Sequence, residues 1–129
     1  MSSMPDIFIS TADARELDRV LSDHLDRDTA SESALELSTK LFDAHVVGSR
    51  ALPHGTIRLD STVTYEELPE RKRRCVTLVR PRDADAGAGR ISILSPVGRA
   101  LLGNAVGSVV EVLLPTGRQQ VVRVVDVTA

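Results

Sequence analysis

Apolar residues in the first part of the chain follow a helical period. Five of them recur at intervals of three or four residues, which is the spacing of one face of an α-helix. They are Ala14, Leu17, Val20, Leu21 and Leu25. The pattern predicts a first helix over residues 11–25, for which Ser10 or Thr11 provides the N-cap.

A second helical pattern follows a polar segment at residues 26–31. Its apolar positions have the same spacing, and they are Ala34, Leu37, Leu41, Ala44 and Val47. Thr29 and Glu32 form a capping box at its start, and Gly48 indicates its end. Two amphipathic helices joined by a short turn favour an antiparallel hairpin, with arms of roughly 15 residues, or about 22 Å each.

Beyond residue 48 the apolar residues change to a period of two, which is typical of β-strands. The pattern predicts strands at residues 57–65, 75–79, 91–93, 109–114 and 121–127, and a polar loop at 66–74. One short helix is predicted between the third and fourth strands. Ser95 is its N-cap, Pro96 occupies its first turn and Gly103 ends it.

These elements predict an α+β protein with two parts. A short antiparallel coiled-coil hairpin covers residues 1–48, and a mostly antiparallel sheet domain with one short helix covers residues 49–129. Of the 129 residues, 42% are apolar and 26% are charged, which is close to the usage of ordinary globular proteins. No apolar run approaches the ~18 residues of a membrane-spanning helix, and the near absence of cysteine favours a reducing, cytoplasmic location.

Few residues offer chemistry of their own. The aromatic residues are limited to Phe8, Phe42 and Tyr65, which disfavours surfaces that bind bases by stacking. Cys75 is the single cysteine, so an intrachain disulfide and a Cys-only zinc site are excluded. Its place in a strand pattern predicts a buried, unreactive thiol. No HExxH, nucleophile-elbow or phosphate-loop motif occurs, so neither catalysis, a metal nor a cofactor is predicted.

Charge is distributed unevenly along the chain, whose net charge is −2. Residues 1–48 contain ten acidic and four basic residues, and residues 49–129 contain eight acidic and twelve basic residues. Three carboxylates, Asp23, Asp26 and Asp28, lie at the tip of the predicted hairpin. Such carboxylates either contact Mg²⁺ or keep an exposed tip soluble.

The sharpest basic cluster comprises Arg71, Lys72, Arg73 and Arg74. A cluster of this kind binds phosphate or an acidic protein surface, or it forms a solvated loop without a partner. Since aromatic residues are not interleaved with it, sequence-specific RNA binding is only weakly supported.

The order of segments resembles a known bacterial family. Residues 91–103 read ISILSPVGRALLG, residues 106–112 read VGSVVEV and residues 114–117 read LPTG. They are similar to the C-terminal domain of Gre-type transcript cleavage factors. The short hairpin, and Leu-Pro-His at residues 52–54, resemble a small branch of that family named for regulation of nucleoside diphosphate kinase.

This resemblance implies a fold like that of FK506-binding proteins for residues 49–129, without isomerase activity. It also implies a non-enzymatic factor that docks on RNA polymerase at the rim of the secondary channel, where any contact with DNA or RNA is indirect. Leu94 replaces an acidic residue of some family members, which implies an apolar contact. The docking residues expected from the resemblance are Leu94, Ser95, Pro96, Val97, Arg99 and Leu101.

The predicted length of the hairpin separates two kinds of factor. Gre-type cleavage factors thread a long hairpin into the channel so that tip carboxylates help to hold catalytic Mg²⁺, which requires an approach to about 2 Å. A hairpin of about 22 Å stops short of the metal. The sequence therefore predicts a factor that competes with longer ones and does not stimulate cleavage robustly. Direct regulation of nucleoside diphosphate kinase or another nucleotide enzyme is the alternative, and nucleic-acid binding by the basic cluster is a third hypothesis.

Overall fold

The computed structural model describes residues 7–27 and 32–128. Within these ranges the chain forms three α-helices and seven β-strands. The helices are α1 (Thr11–Arg27), α2 (Glu32–Asp43) and α3 (Pro96–Leu101). The strands are β1 (Phe8–Ser10), β2 (His45–Val47), β3 (Thr62–Leu68), β4 (Lys72–Val79), β5 (Arg90–Ser92), β6 (Val109–Leu113) and β7 (Gln119–Thr128).

Helix α1 begins where its sequence predicts. The backbone N–H of Asp13 donates to the Ser10 hydroxyl at 3.1 Å, which is the N-cap contact that stabilises a helix start. Leu17, Val20 and Leu21 are buried on one face. The helix continues to Arg27, two residues beyond the predicted end.

Helix α2 is shorter than its apolar pattern predicts, because it ends at Asp43 rather than at residue 48. Residues 45–47 form strand β2, which pairs in parallel with β1. The N–H of His45 donates to the Ile7 carbonyl at 2.8 Å, and its ring stacks on Phe8. Ala44 and Val47 fit a helical spacing, but pairing with β1 overrides that local signal.

A five-stranded sheet forms the second half of the fold, in the order β5-β4-β3-β7-β6. Its strand pairs are antiparallel except for β4 and β5, which run parallel. The predicted polar loop at 66–74 is wrong, because β3 extends to Leu68 and β4 begins at Lys72. Acidic residues of β3 face basic residues of β4, as in the pair Glu66 and Arg73, and such cross-strand pairs stabilise a hairpin of polar residues.

Cys75 lies in the polar half of β4 and is exposed, so the prediction of a buried thiol is wrong. Only the C-terminal end of β4 enters the core, where Leu78 and Val79 are fully buried. A strand pattern alone does not reveal how far the hairpin extends beyond the core.

The hydrophobic core is continuous between the helices and the sheet. Leu17 of α1 and Leu37 of α2 belong to the same buried cluster as Val63, Val124 and Leu101. The α+β class predicted from the sequence is thereby confirmed, whereas the boundary at residue 48 and the likeness to FK506-binding proteins stay predictions. No helix in the part of the chain that the structure describes is long and apolar enough to cross a membrane.

Candidate partner-binding site

A tight turn precedes helix α3 and fixes its first residues. The Ser95 hydroxyl donates to the Ser92 carbonyl at 2.6 Å and accepts from the N–H of Gly98 at 3.1 Å. The N–H of Leu94 donates to the Ser92 hydroxyl at 2.9 Å. Pro96 occupies the first turn, where its missing N–H costs no hydrogen bond. The helix start predicted from Ser95 and Pro96 is confirmed.

Gly98 lets α3 approach the end of β5 closely. A Cβ atom at this position would overlap the carbonyl group of Ser92. The glycine is therefore required by packing between two backbones, and it holds α3 against the turn at 92–95.

The predicted docking residues divide into two groups. Leu94, Ser95, Pro96 and Val97 are all partly exposed and consecutive, so they form a short accessible segment, here called the docking segment (residues 94–97). Leu101 is fully buried. Its assignment to the docking surface is corrected, because its side chain belongs to the core and has no surface to offer a partner.

Arg99 points toward helix α2, a role that its sequence position does not reveal. Its Nη2 lies 2.7 Å from Oε2 of Glu36, and its side chain is only 15% exposed. Its Nη1 donates to the carbonyl of Leu94. The guanidinium that the sequence assigns to a partner contact is thus bonded within the chain.

Lys40 provides a second link between α2 and α3. Its amino group donates to the carbonyl oxygens of Arg99 and, at 3.0 Å, of Ala100. Burial lowers the pKa of Lys40 from 10.5 to about 7, and the positive charge of Arg99 contributes to the same shift. Glu36 and Lys40 are four residues apart and so share a helix face. The three side chains Glu36, Lys40 and Arg99 are here called the α2–α3 junction.

An open groove of about 700 Å³ runs beside this junction, between α2, α3 and strand β6. Val109 and Leu113 of β6 line it and are 52% and 61% exposed. Pro96 also lines the groove, so the docking segment adjoins an exposed apolar wall. Asn104 borders it too, and its buried Oδ1 has no hydrogen-bond partner among the residues the structure describes.

Of the three predicted tip carboxylates, the structure describes the side chain of Asp23. Asp23 is exposed on α1, and it lines a cleft of about 320 Å³ with Arg80, Pro81 and Arg82. Asp26 lies in α1, but its side chain is outside the described residues, as is all of Asp28. Among the side chains that the structure describes, no group of three or more His, Cys, Asp or Glu is arranged to hold a metal ion.

Helix α1 is fastened to the sheet domain by two carboxylates. Oδ2 of Asp13 accepts from the N–H of Leu59 at 3.0 Å, and Oε1 of Glu16 accepts from Nε of Arg80 at 2.8 Å. The hydrogen bond from Arg80 holds the pKa of Glu16 below its usual value. These contacts fix the first half of α1 on the domain.

The basic cluster lies on a strand and its preceding turn rather than in a loop. Nε of Arg73 is 3.1 Å from Glu66, and Nε of Arg74 is 3.0 Å from Glu67. Arg71 has a positive φ of 62° in the turn, and Lys72 is exposed. Two of the four positive charges thus already face carboxylates, which the sequence spacing does not show. The four paired side chains of β3 and β4 are here called the hairpin ladder: Glu66, Glu67, Arg73 and Arg74.

Comparison with known proteins defines the class. The family model described as "Transcription elongation factor, GreA/GreB, C-term" matches residues 52–129, which include the five-stranded sheet and α3. The chain belongs to the GreA/GreB family of transcription elongation factors. This confirms the Gre-type resemblance, and the finer assignment to the branch named for nucleoside diphosphate kinase stays a prediction.

Individual relatives agree with the family model. Transcription elongation factor GreA of Azorhizobium caulinodans is 42% identical over 82 residues, which are 64% of this chain and 52% of that protein. GreA of Leuconostoc mesenteroides is 36% identical over 92 residues, 71% of this chain and 58% of that protein. The chain thus spans little more than half the length of these relatives. Such elongation factors are not enzymes in themselves, in agreement with the predicted absence of catalysis.

Solved structures extend the similarity over nearly the whole chain. The GreA/GreB elongation factor from Nitrosomonas europaea has a TM-score of 0.75 and 37% identity, and the alignment covers 98% of this chain and all of that one. A structure of the transcription factor Gfh1 aligns with a TM-score of 0.53 and 25% identity, covering 98% of this chain and all of that one.

Proposed function

We propose that this protein binds RNA polymerase at the rim of the secondary channel and competes there with longer Gre-type factors, without robust stimulation of RNA cleavage. The docking segment and the adjoining groove make the contact. The protein acts in the cytoplasm, where the polymerase is, and any contact with DNA or RNA is indirect.

The length of the helices carries this proposal. Helix α1 has 17 residues and α2 has 12, which correspond to about 26 Å and 18 Å. If the two helices form the expected antiparallel hairpin, the shorter one limits the paired region. A cleavage factor must bring a carboxylate to about 2 Å from the metal ion, and the arms of this protein are too short for that task.

The contacts of α1 shorten its reach further. Glu16 is bonded to Arg80, and Asp23 lines the cleft beside residues 80–82. Only about one helical turn of α1, roughly 6 Å, lies beyond Asp23. Asp23 therefore stays close to the sheet domain, which supports blocking of the channel rather than participation at its metal centre.

The contact with polymerase is tested by a substitution on the accessible side of α3. Pro96→Arg keeps the Ser95 cap and adds a long charged side chain to the groove wall. Polymerase affinity should fall by roughly tenfold, as for a central interface residue. Pro53→Arg is the matched control, because Pro53 is also exposed but lies outside the docking segment. Equal affinity of both variants and the unmodified chain would remove the site assignment.

Competition is measured in a stalled elongation complex whose RNA is cleaved on addition of a long Gre factor. Increasing amounts of this protein should suppress the stimulated cleavage, and the protein alone should leave the RNA intact. Rapid cleavage by the protein alone would contradict the blocking role.

The alternative is direct regulation of nucleoside diphosphate kinase. Immobilised protein incubated with purified kinase in the absence of polymerase separates the two hypotheses. If the immobilised protein retains the kinase and does not bind polymerase, direct regulation of the kinase replaces the proposed function.

A further inference from the structure

We infer that Arg99 is a positioning residue that couples helix α2 to the docking segment through its simultaneous contacts with Glu36 and the Leu94 carbonyl. The inference rests on the proposed function for its biological meaning. The coupling itself is a property of the isolated chain and is tested separately.

The guanidinium of Arg99 joins two parts of the molecule that are far apart in sequence. Nη2 is 2.7 Å from Oε2 of Glu36 on α2, and Nη1 donates to the carbonyl oxygen of Leu94. A guanidinium is planar and rigid, with its donors in a fixed fork. The position of Glu36 therefore constrains the direction in which the Leu94 carbonyl is held.

Both backbone polar groups of Leu94 are engaged. Its N–H donates to the Ser92 hydroxyl at 2.9 Å, and its carbonyl accepts from Arg99. Loss of the Arg99 contact would leave the carbonyl of Leu94 without this hydrogen bond. Since Ser95 and Pro96 follow immediately, the orientation of the docking segment depends on a side chain that is itself mostly hidden from a partner.

Lys40 provides a second restraint on the position of α2 relative to α3. Its amino group donates to the carbonyls of Arg99 and Ala100, near the C-terminal end of α3, where carbonyl oxygens lack partners within the helix. Glu36 holds the Arg99 side chain while Lys40 holds its backbone. Helix α2 thus contacts both the side chain and the backbone of Arg99. A displacement of α2 therefore also displaces residues 94–99.

A consequence is reciprocal coupling between the helices and the docking segment. A partner that fixes the docking segment also restrains α2, and a partner that fixes the helices favours one orientation of the docking segment. A polymerase rim that touches both would therefore bind more tightly than two independent contacts predict.

The coupling is measured first by amide hydrogen exchange in the isolated protein. Glu36→Ala removes the anchor on α2 without changing the docking segment. Exchange of the amides in residues 94–98, where Pro96 has none, should accelerate by roughly fivefold, the lower range of measured couplings between sites. Glu36→Gln keeps an oxygen that accepts from Arg99 and should restore most of the protection. The matched control is Glu66→Ala, which breaks an exposed Arg–Glu pair on β3 and should leave residues 94–98 unchanged.

The second measurement is polymerase affinity of the same variants. Glu36→Ala and Arg99→Met should each weaken binding by roughly fivefold, and the double variant should be no weaker than Arg99→Met alone, because both act through one guanidinium. Additive losses would indicate separate direct contacts with polymerase and would overturn the inference.

The two failures are distinguishable. If exchange of residues 94–98 is unchanged by Glu36→Ala, the coupling is absent, whatever the polymerase result. If the exchange responds as expected but the unmodified protein does not bind polymerase, the coupling stands and the proposed function fails.

Discussion

Two regions of this protein join arginine to glutamate, and they differ in what surrounds the pair. In the hairpin ladder, Arg73 meets Glu66 at 3.1 Å, and the arginine side chain is 64% exposed whereas the glutamate side chain is 13% exposed. In the α2–α3 junction, Arg99 meets Glu36 at 2.7 Å, and here the arginine side chain is 15% exposed whereas the glutamate side chain is 50% exposed. Arg99 has a further carbonyl partner, and Lys40 adds its own bonds beside it.

The arginine is the more buried partner in the junction and the more exposed partner in the ladder, and its additional partners in the junction change what that pair does. Exposed ion pairs contribute about 0–1 kcal/mol, since water competes for both charges. Hydrogen bonds to charged groups contribute about 1.5–3 kcal/mol. The ladder keeps a polar hairpin in register, whereas the junction fixes α3 and the docking segment relative to α2. The same two residue types thus have a local role in one region and a long-range role in the other.

The largest expected effect concerns the close packing of α3 against the end of β5. Gly98→Ala forces a methyl group against the Ser92 carbonyl, and the free energy of unfolding should fall by about 3 kcal/mol, the upper range for overpacking. Urea denaturation measures the loss. Gly87→Ala is the control, because the nearest neighbour of its Cβ would lie at an ordinary 3.5 Å. Equal stability of the two variants would show that α3 does not depend on this close approach.

The next largest effect is a pH dependence of the free energy of unfolding, which is expected from Lys40 in the junction and not from an exposed lysine. Burial lowers the pKa of Lys40 to about 7 in the folded chain, against 10.5 when it is unburied. Between these values the unfolded chain holds the proton and the folded chain does not, so raising the pH favours the folded state. From pH 7 to pH 9 this lysine should add about 2 kcal/mol of stability.

That contribution is measured as the difference between the unmodified protein and Lys40→Met in urea denaturation at each pH. Lys72→Met, at an exposed position, is the control and should retain the rise with pH. The same slope in Lys40→Met and the unmodified protein would assign the pH dependence to another group.

A direct comparison of the two arginines gives a smaller effect. Arg99→Met should lower the free energy of unfolding by about 1.5 kcal/mol, because it removes bonds in a partly buried site. Arg73→Met should change it by less than about 0.5 kcal/mol. Thermal and urea unfolding of both variants give the comparison, and similar losses would erase the proposed distinction between the regions.

The smallest effect is expected at the exposed end of β4. Arg71 and Lys72 precede the paired arginines, and Lys72→Ala should change stability by less than about 0.5 kcal/mol. If the basic cluster binds nucleic acid, this variant should instead lower the salt dependence of that binding by about one unit of slope. Filter binding at several salt concentrations checks the second outcome, and a flat salt response argues against nucleic-acid binding.

The elements that local chemistry dictates are those that the sequence predicts correctly. Ser95 and Pro96 specify the start of α3 through capping and a fixed φ, and the structure confirms both. The β-branched run near the C-terminus predicts β7, which is three residues longer in total than expected. These signals depend on a few neighbouring residues, so they can be read without knowledge of the fold.

The sequence was least informative where distant residues meet. Residues 45–47 continue a helical pattern, and only the presence of β1 beside them selects a strand. Arg99 looks like a free surface charge until Glu36, 63 residues earlier, is placed 2.7 Å away. The buried position of Leu101 likewise depends on the assembly of the common core, and the depressed pKa of Lys40 depends on its burial beside Arg99.

The parallel pairing of β1 with β2 gives the helical segment a closed base. Phe8 pairs with His45 and Ser10 with Val47, so the strands before and after the two helices are held together in a two-stranded sheet of their own. Because the cost of closing a loop grows slowly with its length, whole turns can be inserted between these strands without moving the base. Longer helices grafted between β1 and β2 would therefore extend the helical segment while leaving the five-stranded sheet as it is, which makes helix length a variable that can be changed by itself.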